Sequence, residues 1–228
     1  MSSGGIVSLF SYGWTKMMEI YLMNTSELTD EEISALSPFR RRKAEQFIQD
    51  RDRRLSLAAG VLLDRGLKKY GLAEKDAEFT FGESGKPYLR DYPFVHFNLS
   101  HSGEMALGVF SDREVGCDIE YVHPFDEDTA SLVFTDDELK WIKSSENRDY
   151  AFTRLWTVKE SIIKAKGGSA DEMRNLSLSF DGNGTARTQI FFGSVWKTST
   201  MEKDGYLIAI CEEDGNGEDE QRQRVFHQ

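Results

Sequence analysis

The apolar positions of the chain fall into two kinds of block that recur in the same order. MMEIYLMN, from Met17, has the density of apolar and aromatic residues expected of a strand. Helical patterning follows. Thr29 and Glu32 have the spacing of a capping box ahead of a short helix, and Ser37-Pro38 starts a second helix carrying RRRKAEQF. A third helix is predicted from about Asp52 to Tyr70, with Leu55, Ala59, Leu62 and Leu63 on one stripe and Gly71 ending it. Short strands come next: FTF at Phe79–Phe81, a turn in GESGKP, then VHFNL, MALGVF and VGCDIE, each bounded by turn residues. The order then repeats. Thr135 and Glu138 form another capping box, Asn147 opens a helix that runs through Lys166, and Gly167-Gly168 closes it. LSLSF, TQIFF, VWKTST and YLIAIC follow as strands, with DGNG and KDG as hairpin turns.

This order predicts an α+β fold of two similar halves, each with helices packed on an antiparallel sheet. The halves are expected at residues 17–111 and 112–212, meeting near Ser111 to Val115. Residues 1–16 read as a flexible Gly- and Ser-rich leader, and 213–228 as a charged, disordered tail.

Composition narrows the class. With 228 residues, 39% hydrophobic and 12% aromatic, the chain can build a sizeable core. No long apolar run precedes Lys16, so a soluble, cytoplasmic protein without membrane attachment is expected. Cys117 and Cys211 lack metal-ligand spacing, which suggests neither a disulfide framework nor a zinc site. The net charge of -11 argues against nucleic acid as a partner. Basic residues nevertheless cluster in RRRK (Arg40–Lys43) and at Arg51, Arg53 and Arg54, where a solvated helix face is the ordinary explanation.

Three stretches could carry chemistry. In VGCDIE, Asp118 and Glu120 lie two apart on a strand, so both carboxylates share one face and repel, while Cys117 faces the other way into a core. Exposed edge acids and a cation site both fit that pattern. In RLWTVKESIIKAKGG, Glu160 and Lys164 are four apart on a helix, which by itself is an ordinary ion pair worth about 0.3–0.5 kcal/mol. Trp156 shares that face as core. In FNLSHSG, Ser100 and His101 end a strand before a turn. Adjacent Ser and His do not make a catalytic dyad, but a histidine there suits an anion. His96 and His123 are assigned to structure.

Taken together, GKP, FNLSHSG, VGCDIE and FTDDE…WTVKESIIK, in this order, resemble the 4'-phosphopantetheinyl transferases of the Sfp-like, two-half type, from about Met17 to Glu212. The resemblance implies transfer of the phosphopantetheine arm of coenzyme A to a serine of an apo acyl or peptidyl carrier protein, releasing adenosine 3',5'-bisphosphate. It implies an active site between the halves and a complete site in one chain, hence a monomer. It assigns Asp118, Glu120 and Glu160 to Mg²⁺, with Mn²⁺ as the alternative ion. It assigns Arg40, Lys43, Lys86, Ser100, His101, Lys159 and Lys164 to coenzyme A, with Arg54 as the further helix arginine and Arg53, or neither, as the open alternatives. Glu160, directly or through a metal-bound water, would take the serine proton, and Lys164 would hold the pyrophosphate. Residues Phe125 to Asn147 would face the carrier. Two other classes remain in view: a coenzyme A or nucleotide-binding module without transfer, and a Mg²⁺-dependent nuclease using the paired acids and Lys164.

Overall fold

The computed structural model describes residues 18–178, 188–191 and 193–214. The expected leader, the DGNG turn, most of the expected tail and the last two residues of LSLSF lie outside the described residues.

The fold is α+β, with antiparallel sheets covered by helices. The first half contains β1 (Glu19–Asn24), α1 (Asp30–Ala35), α2 (Pro38–Glu45), α3 (Asp50–Lys68), β2 (Phe79–Phe81), β3 (Pro87–Leu89), β4 (His96–Ser102) and β5 (Met105–Ser111). Thr29 and Glu32 cap α1 reciprocally, and Ser37 caps α2 with Pro38 in its first turn. β1, β5 and β4 form one sheet in that order, and β2 pairs with β3 as a hairpin. Helix α3 lays Ala58, Val61, Leu62 and Leu67 against Tyr21, Phe97 and Phe110 of this sheet.

The second half contains β6 (Val115–Tyr121), α4 (Glu127–Val133), α5 (Asp136–Ser144), α6 (Arg148–Lys166), β7 (Thr188–Phe191), β8 (Ser194–Lys203) and β9 (Tyr206–Glu213). Its strands form a sheet ordered β6-β9-β8-β7. The KDG turn joins β8 to β9 with Asp204 and Gly205 both left-handed, as a tight hairpin turn with positive φ at its two central residues requires. Helices α4 and α6 pack Ala130, Val133, Phe152, Leu155 and Ile162 with Trp196, Ala209 and Cys211 of the sheet.

A third apolar layer joins the halves. Ile20, Leu107 and Val109 of the first sheet meet Val115, Cys117, Ile119, Ile208 and Ile210 of the second. Cys117 and Cys211 are free, buried thiols, and burial is the main cause that pushes both well above the usual thiol range.

Three local expectations change. The stretch Leu176–Leu178 is not strand, because it emerges from the 3₁₀ turn Ala170–Asn175 and the Leu178 N–H goes to Glu138 Oε1 rather than to a neighbouring strand. β4 continues past His101 to Ser102, which pairs with Met105 across the hairpin. Glu213, expected in the tail, still belongs to β9, and the Asp214 N–H donates to Val195 O.

Candidate active site

Helix α6 reaches the site through a glycine. A Cβ on Gly116 of β6 would stand 1.9 Å from the carbonyl oxygen of Ser161, so only glycine lets helix and strand approach this closely. The contact brings the C-terminal part of α6, with Glu160 and Lys164, over the strand that carries Asp118 and Glu120. Gly167 then ends α6 in the left-handed conformation.

Asp118 is 1% exposed, and its carboxylate is the centre of the arrangement. Its Oδ1 accepts from Ser100 Oγ at 2.7 Å and from Lys164 Nζ at 2.5 Å, and Lys164 also donates to Ser100 at 2.9 Å. Its Oδ2 is buried and has no hydrogen-bond partner among the described residues. Glu120 Oε2 accepts from Ser102 Oγ at 2.7 Å. Burial and the Asp118 charge push the Glu120 carboxyl up to about 7. Burial also raises Glu160, whose charged neighbours are Lys164 and Asp118. Burial pulls the Lys164 ammonium down, but its acidic neighbours, Asp118 foremost, together outweigh it and the net shift is upward. His101 is lowered by burial and by the Lys164 charge.

Three acids thus face one ammonium group, and an acceptor atom at the centre is unfilled. Among the described residues, no group of three or more His, Cys, Asp or Glu side chains is arranged to hold an ion by itself. Mg²⁺ makes a smaller demand, since it keeps several waters and takes one or two carboxylates plus substrate phosphates. The orphan Asp118 Oδ2 and the raised Glu120 and Glu160 carboxyls are what such an all-oxygen, charge-deficient site should contain.

The remaining expected residues separate. Lys86 lines a cleft with Pro87, Asn98, Leu99, Lys164 and Gly167, between the β2–β3 hairpin, β4 and the end of α6. Within it, Lys86 pairs with Glu114 at 2.5 Å and donates to Ala165 O. Arg54 donates to Thr25 O at 2.5 Å, and Arg53 pairs with Asp50. Arg40 Nε lies 3.5 Å from Glu74 within the first half, and Lys43 is exposed on the same helix. Arg51, in the same basic run, donates Nε to Gly103 O at 2.8 Å beside the SHSG turn.

Lys159 is a correction. Its ammonium is fully buried in the core of the second half, 2.7 Å from Glu138 Oε2, and donates to Val133 O and Met173 O. One residue along a helix turns a side chain by about 100°, so Lys159 leaves the face that carries Glu160. In this arrangement it is a buried structural cation rather than a ligand for coenzyme A.

Comparison with known proteins places the chain. The model of the 4'-phosphopantetheinyl transferase superfamily matches residues 114–211. The transferase ffp of Bacillus subtilis is 32% identical over 194 residues, covering 82% of this chain and 86% of that protein. The transferase psf-1 of Bacillus pumilus is 34% identical over 208 residues, covering 85% and 89%. The transferase AcpT of Salmonella typhi is 42% identical over 124 residues, covering 52% and 62%. A chain that aligns along most of its length with such relatives, and gathers its motifs at one junction, belongs to the 4'-phosphopantetheinyl transferase family.

Proposed function

We propose that the chain transfers the 4'-phosphopantetheine group of coenzyme A to a serine of an apo carrier protein at the junction of β4, β6 and α6, with Asp118, Glu120 and Glu160 as the Mg²⁺ ligands. The observation that carries the reading is the meeting of FNLSHSG, VGCDIE and WTVKESIIK at Asp118, through Ser100 and Lys164. The ion, when bound, supplies charge neutralisation and Lewis-acid polarisation of the pyrophosphate.

The chain's own residues do the rest. Glu160, its carboxyl raised by burial, accepts the proton of the carrier serine as that oxygen forms a bond to the β-phosphorus. The bond from phosphorus to the adenylate side breaks, and its electron pair leaves with adenosine 3',5'-bisphosphate. Lys164 keeps its proton and offsets charge on the pyrophosphate. Lys86 and the cleft it lines suit the phosphates of coenzyme A, with His101, Arg54, Arg40 and Lys43 as further anion partners on the first half.

Residues Phe125 to Asn147 are assigned to the carrier. In support, Leu132 of α4 is 76% exposed, an apolar side chain for a partner to cover. A monomer working in the cytoplasm, without nucleic acid or membrane, completes the reading. Among the described residues no helix is long and apolar enough to cross a membrane.

The test is direct. The protein is incubated with coenzyme A, Mg²⁺ and a panel of apo acyl and peptidyl carriers, and the carriers are weighed. A phosphopantetheine gain on the carrier serine is expected. Coenzyme A binding without a gain on any carrier would favour a binding module instead.

A further inference from the structure

Strands β4 and β6 each form the edge of their sheet, and there the two halves meet. Edge strands carry backbone groups that need partners. β6 satisfies one edge with β9, while three of its N–H groups on the other go to side chains of β4. Cys117 N donates to Asn98 Oδ1 at 3.3 Å, Ile119 N to Ser100 Oγ at 3.4 Å and Tyr121 N to Ser102 Oγ at 3.2 Å. The acceptors advance by two residues as the donors do, as two strands running side by side require.

Each serine in this row has a second bond. Ser100 donates to Asp118 and Ser102 donates to Glu120, both at 2.7 Å. A hydroxyl has one proton and two lone pairs, so accepting from the β6 backbone aims its proton at the neighbouring carboxylate. The same clamp therefore occurs twice, one strand repeat apart. Ser100 also contacts Lys164, whereas among the described residues the Ser102 hydroxyl bonds only Glu120 and Tyr121 N.

Resting on the cation reading of these carboxylates, we propose that Ser102 is a positioning residue: it fixes the Glu120 carboxylate for the ion through a hydroxyl anchored on the β6 backbone. Glu120 is only half-buried, and its two like-charged neighbours, Asp118 and Glu160, disfavour its turning inward. The Ser102 hydrogen bond, anchored by Tyr121 N, opposes that repulsion and holds the carboxylate in place.

The experiment follows binding rather than turnover. The melting temperature of the protein with coenzyme A, and without carrier, is recorded as Mg²⁺ is titrated. Ser102→Ala should shift the Mg²⁺ midpoint upward about tenfold, the usual loss when an outer partner of a metal ligand is removed. Ser102→Thr, which keeps the hydroxyl, should restore it. A Ser102→Ala midpoint equal to wild type would overturn the positioning role while leaving the cation site standing. A wild-type protein with no Mg²⁺ response would overturn the cation reading and this inference with it.

Discussion

At the scale of the residue, environment decides which charged groups act and which only hold the fold. Glu120 keeps its proton in the folded, ion-free protein up to about pH 7, whereas the unfolded chain releases it near the ordinary glutamate value. The folded state therefore binds more protons over that interval, and stability falls as pH rises through it. In urea titrations without divalent ions, Glu120→Gln should flatten this decline between about pH 4.5 and 7. Lys159 makes the opposite case. Its motif neighbour Glu160 reads as chemistry and Lys159 reads alike, yet its partner is Glu138, which also caps α5 at Thr135 and receives the Leu178 N–H. Lys159→Ala should cost about 3–5 kcal/mol, because it strands a buried carboxylate. Calorimetry on the folded fraction should find coenzyme A affinity little changed, and a large loss of affinity would return Lys159 to the ligand set.

At the scale of the element, local signals were legible wherever the determinant was local. Both capping boxes, the Ser37-Pro38 start, the left-handed Gly167 and the KDG turn can be read because their partners lie within four residues. The clamps of Ser100 and Ser102 could not be read, since their partners lie 18 and 19 residues away on another sheet. Arg51 was hidden for the same reason: its acceptor Gly103 is brought to it only by the β4–β5 hairpin. Helix α4 is not legible in the sequence, since its seven residues lack a full apolar stripe. The contact of α6 with β6 depends on one small residue. Gly116→Ala would drive a methyl group into the Ser161 carbonyl and should cost about 1–3 kcal/mol or more. Because α6 carries Glu160 and Lys164, kcat/KM for the carrier should fall further than the unfolded fraction measured by urea titration accounts for.

At the scale of the whole molecule, two sheets share an apolar layer, and their abutting edges supply the polar groups of the site. The net charge of -11 offers an acidic carrier no long-range attraction, so docking depends on local contacts. In the proposed site the labour is divided between the halves: Ser100, His101 and Lys86 come from the first, and the carboxylates and Lys164 from the second. The central claim is that these parts form one Mg²⁺-dependent transfer site centred on Asp118. The measurement that tests it most directly is the rate of phosphopantetheine transfer to an apo carrier, against Mg²⁺ concentration, for the wild type and a folded Asp118→Asn variant. The account predicts saturable Mg²⁺ dependence for the wild type, none of it surviving a chelator, and only background transfer by the variant. Near-normal transfer by folded Asp118→Asn would contradict it.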